Sequence, residues 1–89
     1  MISVNMIDAN LYQVVVEGEQ ETVHKVHMSQ EYYRALCRAT VTHEFVLVQA
    51  FRFLLEREPN TAILAEFDLP DINRYFPEFE AEIRQRLDR

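Results

Sequence analysis

The sequence predicts an α+β fold, in which a three-stranded antiparallel meander is followed by a helical part packed on one face of the sheet. Apolar residues recur with a period of two in residues 1–28 and with a helical period from residue 29 onward. The chain has 89 residues and a single glycine, so it is expected to form a single domain over residues 1–89. The meander is expected over residues 1–28 and the helical layer over residues 29–89.

Three segments of the first part have the pattern of strands. Residues 2–7 alternate apolar with polar side chains, and residues 11–17 contain a run of three valines, which favour extended backbone. Residues 22–28 form the third predicted strand. The turns around Asn10 and Gly18 are short, and short connections join antiparallel strands because parallel pairing needs a long crossover.

The first predicted helix begins after Ser29, a residue type that often caps helix N-termini. Tyr33, Leu36 and Cys37 follow at the spacing of one helix face. The helical pattern fades around Thr40, so this helix is expected to be short.

The second predicted helix is the most apolar segment of the chain. It begins after Thr42, another capping residue type, and extends to Glu58 before Pro59 ends it. Its apolar side chains fill an arc of roughly 220°, whereas a surface helix needs an apolar stripe of only about 100°. This central helix is therefore expected to be covered on at least two sides and to form the core.

Shorter helical segments are expected in the remainder of the chain. Two of them cover residues 62–67 and 71–75, and the last helix is expected to open at Pro77. Four apolar residues then share one helix face: Phe76, Phe79, Ile83 and Leu87. On the other face, favourable i, i+4 ion pairs are predicted between Glu80 and Arg84 and between Glu82 and Arg86.

The charge of the chain bears on its partners and location. The net charge is −6, and an acidic protein repels nucleic-acid phosphates. No signal peptide is seen at residues 1–5, and no apolar run has the roughly 20 residues that span a bilayer. We therefore expect a cytoplasmic protein without a membrane or nucleic-acid partner. The alternative is a nucleic-acid-associated regulator or antitoxin-like protein, which requires four arginines to converge on one face: Arg34, Arg38, Arg52 and Arg57.

The sequence contains no recognisable catalytic, cofactor or metal-binding motif. His24 and His27 are three residues apart on a predicted strand, so their rings should point to opposite faces and cannot share an ion. With His43, they are interpreted as solvated or capping histidines. Cys37 shares an apolar helix face and is interpreted as a core residue. Three acids are interpreted as a solvated first helical turn: Glu78, Glu80 and Glu82.

The C-terminal half resembles a group of small bacterial proteins to which no activity is assigned. The matching segments are residues 50–59, 67–69 and 74–80, which read AFRFLLEREP, FDL and RYFPEFE. The resemblance implies a bacterial, cytosolic, stand-alone domain. It implies no catalytic or binding residue.

The leading functional hypothesis is a protein-interaction module, without catalytic activity, that binds itself or another protein. A small core with a very apolar central helix gains stability when a second subunit covers that helix. The expected interface residues are Phe45, Val48, Arg52, Phe76 and Phe79. An enzyme or small-ligand binder is the third hypothesis, and it would require a deep pocket lined by His24 or His27.

Overall fold

A four-stranded sheet forms one layer of the fold in the computed structural model, which describes residues 1–88. Strands β1 (Ile2–Asp8), β2 (Leu11–Val16) and β3 (Thr22–His27) are antiparallel neighbours. The predicted α+β class and the meander are confirmed.

A fourth strand, β4 (Glu66–Asp68), pairs in parallel with β3 and was not predicted. The prediction of a helical segment over residues 62–67 is wrong. Only a 3₁₀ turn, Asn60–Ala62, precedes the strand. The Asn60 side-chain amide donates to the Gln20 carbonyl oxygen at 2.8 Å and to the Thr22 hydroxyl at 3.0 Å. These bonds hold the segment against the start of β3, and three residues are too few to show a strand period in the sequence.

Two helices make the crossover between β3 and β4, and both begin as predicted. In α1 (Gln30–Cys37) the Ser29 hydroxyl accepts a bond from the Tyr32 amide. In α2 (His43–Leu55) the Thr42 hydroxyl accepts a bond from the Phe45 amide at 3.0 Å. Arg38 adopts the left-handed conformation with φ at 53°, which ends α1. The central helix α2 ends three residues before the predicted Glu58.

The C-terminal part contains a 3₁₀ turn, Leu69–Asp71, followed by α3 (Ile72–Tyr75) and α4 (Phe79–Leu87). The last helix therefore begins two residues after Pro77, where it was expected to open. Its predicted apolar residues Phe79, Ile83 and Leu87 are all buried.

The core lies between the sheet and α4, with α2 inside it. Phe51 of α2 packs on Phe67 of β4, and Phe53 meets the ring of Phe79 of α4 edge-on, with centroids 5.1 Å apart. Within residues 1–88, none of the strongly exposed large apolar side chains belongs to α2. The chain thus covers its central helix on two sides by itself, as the wide apolar arc predicts.

Candidate interaction surface

The outer edge of β1 has no strand partner within residues 1–88. At its beginning, the Met1 carbonyl oxygen accepts a bond from the Glu17 amide at 2.8 Å, and the Met1 amino group donates to the Glu17 carbonyl oxygen at 3.2 Å. Because hydrogen-bonded pairs recur at every second residue of an antiparallel ladder, the residues between them direct their backbone groups outward. The register is regular from residue 2 to residue 6. Three residues therefore present free amide and carbonyl groups at the edge: Ile2, Val4 and Met6.

The side chains of these three residues lie on the helix-covered face of the sheet. They are paired in register with three buried residues of β2: Val16, Val14 and Tyr12. Ile2 and Val4 are half-buried and pack on the core, whereas Met6 is 62% exposed. The edge is thus apolar on the side that faces the helices.

The usual protection of an edge strand is missing from most of β1. In natural proteins, lysine or proline residues, bulges or a very short strand prevent an edge strand from pairing with another chain. Residues 2–7 contain no charged residue and no proline, and the irregularity in the register lies beyond Met6, between it and Asp8. The opposite edge, at β4, has only three residues. The long, uncharged edge of β1 is therefore the strand edge best suited to pairing with another chain.

The predicted interface residues of α2 share one face of that helix. Phe45 and Val48 are half-buried and Arg52 is exposed, at the spacing i, i+3, i+7. The helix packs against β1, and its Phe51 reaches Phe67 of β4.

The other two predicted interface residues lie elsewhere. Phe79 is fully buried against Phe53 and offers no surface. Phe76 is half-buried and also meets Phe53 edge-on, with centroids 5.9 Å apart. Of the neighbouring aromatic residues Phe67, Tyr75, Phe76 and Phe79, two are buried, Phe76 is half-buried and Tyr75 is exposed. Pattern alone could not separate these residues, because all of them follow apolar helix-like spacings.

One of the four arginines that the nucleic-acid hypothesis requires is held by carboxylates. The Arg57 guanidinium lies 2.9 Å from Glu82 and 3.3 Å from Glu78. Its central carbon lies 3.6 Å from the centre of the Phe53 ring. Arg57 is therefore withdrawn from any phosphate-binding face.

The acids at the start of α4 are interpreted from the sequence as solvated, but each of them has a side-chain partner. Glu82 binds Arg86 at 2.8 Å and Glu80 lies 3.9 Å from Arg84, which confirms both predicted ion pairs. Glu80 also accepts bonds from Tyr32 and Asn73. Burial, more than these polar contacts, raises the pKa of the Tyr32 hydroxyl well above its ordinary value.

Arg86 extends this network to the end of α2. It donates to a Glu56 oxygen at 2.6 Å, and this hydrogen bond holds the pKa of that carboxyl below its ordinary value. The acids and arginines of this region therefore fasten α4 to α2. They form one network of ion pairs and hydrogen bonds.

The histidines lie on separate parts of the fold. His24 is buried, with Nδ1 2.8 Å from the Leu64 carbonyl oxygen and Nε2 2.9 Å from the Thr22 hydroxyl. Its interpretation as a solvated or capping residue is wrong, because the core face of β3 encloses it. His27 points to the other face, as predicted, and its Nε2 lies 2.8 Å from Glu66.

The ring of His43 stacks on the ring of Tyr33, with centroids 3.7 Å apart. Across residues 1–88, no three histidine, cysteine or acidic side chains are grouped so that they could hold a metal ion. Cys37 is buried and its sulfur lies 3.4 Å from the Tyr33 carbonyl oxygen, which confirms its assignment to the core.

In the described part of the chain, no helix is both long enough and apolar enough to cross a membrane. No protein-family model, curated protein or solved structure matches the chain.

Proposed function

We propose that this protein is a small protein-interaction module, rather than an enzyme, and that it self-associates by pairing the edge of β1 with β1 of a second copy. The observation that carries the proposal is the unprotected edge, where Ile2, Val4 and Met6 present free backbone groups and apolar side chains. The sequence leads us to expect self-association because a second subunit could cover the central helix. The chain covers α2 by itself, so α2 no longer supports self-association. The edge strand supports it instead.

The edge is self-complementary in register. When two β1 strands pair in antiparallel fashion about a two-fold axis, the residues that direct their backbone groups outward must lie opposite one another in order to exchange hydrogen bonds. The outward-facing set is symmetric about Val4, which would face the partner's Val4, while Ile2 would face the partner's Met6. The three pairs would exchange about six backbone hydrogen bonds and join two sheets into one.

The side chains are complementary as well. Residues directly opposite in an antiparallel pair share a face, so Met6 would pack between Val4 and the partner's Ile2 on the helix side. Residues 2–7 carry no charge, so no like charges would meet across the axis. Because α2 packs against β1, its face with Phe45, Val48 and Arg52 would extend the contact toward the partner.

Sedimentation velocity at micromolar concentrations tests this proposal with one variant and one control. Met6→Lys places a charge at the edge on a side chain that is already exposed, so the fold should be kept. Val23→Lys adds the same charge on an exposed residue of β3, an inner strand. We expect dimers for the natural chain and for Val23→Lys, and monomers for Met6→Lys. A natural chain that stays monomeric at all these concentrations, or a dimer unaffected by Met6→Lys, would contradict the proposal.

A further inference from the structure

We propose that a groove beside β4 binds a segment of a partner protein that carries one aromatic side chain flanked by lysine or arginine. The groove lies next to β4, whereas the proposed dimer edge is β1, at the other end of the sheet. This inference goes beyond the proposed self-association and does not depend on it.

The groove is an apolar depression of about 140 Å³ between the end of α2, the residues before β4, and α3. Its apolar walls include Leu54, Ile63, Phe67, Ile72 and Phe76. An apolar cavity of roughly 150 Å³ accommodates a benzene molecule. The groove therefore has the size and lining for a single aromatic ring.

Two large side chains at this groove are exposed. Tyr75 is 66% exposed and Leu64 is 52% exposed. Aromatic side chains are enriched among the residues that dominate protein-protein binding energies, particularly where they flank a pocket. These two residues would close over the sides of an inserted ring.

The charge around the groove defines the flanking residues of the partner. Two acids, Glu58 and Asp71, line the groove, and no basic side chain among the described residues does. Within residues 1–88, the Glu58 carboxylate has no hydrogen bond or ion pair. Arg74 is 80% exposed and lies 4.0 Å from Asp71, a distance at which the neutralisation is weak. The rim is thus negative, and a cationic segment complements it.

Selection from a phage-displayed library of random dodecamer peptides tests the proposal without a known partner. Clones selected on the natural chain should carry an aromatic residue with at least two lysines or arginines nearby. Synthetic peptides from these clones should bind Glu58→Lys about fivefold more weakly and Tyr75→Ser at least tenfold more weakly, as measured by fluorescence anisotropy.

Two controls locate the binding. Glu19→Lys makes the same charge change in the exposed turn before β3 and should leave peptide affinity unchanged. Met6→Lys should also bind normally, because it alters only the proposed dimer edge. The proposal is overturned if no peptides are selected, if the selected peptides lack basic residues, or if Glu58→Lys weakens binding no more than Glu19→Lys. Circular dichroism of each variant confirms that the fold is intact.

Discussion

Replacement of Arg57 by alanine should destabilise the protein strongly for a residue outside the apolar core. The Arg57 guanidinium covers the Phe53 ring at 3.6 Å, donates to the Phe53 carbonyl oxygen at 3.1 Å and pairs with Glu82 and Glu78. We assign about 1 kcal/mol to the cation–π contact, about 1 kcal/mol to the carbonyl bond and about 0.5 kcal/mol to each ion pair. Because these contacts share one side chain and are not additive, the expected loss is about 2–3 kcal/mol.

Urea denaturation followed by circular dichroism measures this loss directly, and the melting temperature should fall by about 10–20 °C. Arg57→Lys should recover only part of the stability, because an ammonium cannot reproduce the planar fork. Arg74→Ala is the matched control: its side chain is mostly exposed, so the change should be below about 0.5 kcal/mol. If Arg57→Ala lowers the free energy of unfolding no more than the control does, Arg57 does not stabilise the packing of α2 against α4.

Three further substitutions test the core and the sheet, with urea denaturation as the common measurement. Phe79→Ala should cost about 3–5 kcal/mol because the ring is fully buried, and a cost below about 1 kcal/mol would show that Phe79 lies at a surface instead. His24→Phe should cost about 1–3 kcal/mol because it leaves the Leu64 carbonyl oxygen without its partner, and a neutral result would refute the role of that bond. The hydrogen bond from His27 holds the pKa of the Glu66 carboxyl below its ordinary value of 4.5. The pair therefore stabilises the fold above about pH 4.5 and loses this contribution as the pH falls through the lower folded-state pKa. Glu66→Gln should make the acid side of the stability profile shallower, and an unchanged slope would contradict this account.

Local signals in the sequence predict much of the fold. Ser29 and Thr42 mark helix starts because the side-chain oxygen of a capping residue accepts a bond from a backbone amide only two or three residues later. The meander is equally readable, since alternation and short turns act over a few residues. The short strand β4 cannot be predicted from local sequence, because the pairing of Phe67 with Val26 joins residues that are far apart in the chain.

The candidate surfaces were predicted less completely, for the same reason. Phe45, Val48 and Arg52 do lie on one helix face, which helical periodicity alone specifies. The free edge of β1 depends on where β4 joins the sheet, because β4 lengthens the sheet at β3 and leaves β1 at the margin. The burial of His24 depends on the Leu64 carbonyl oxygen, forty residues away. Such long-range contacts have no signature in local composition.

Disulfide trapping of the β1 edge in a defined register tests the central claim most directly. Across the proposed two-fold axis, Ile2 and the partner's Met6 would have Cα atoms about 5.5 Å apart, which permits a disulfide, whereas the two copies of Ile2 would be about 14 Å apart. A mixture of Ile2→Cys and Met6→Cys chains should therefore form a disulfide-linked dimer under mild oxidation, and each variant alone should not. The natural chain, with Cys37 buried, is the background control. Absence of a cross-link in the mixture, or equal cross-linking of each variant alone, would contradict pairing in this register.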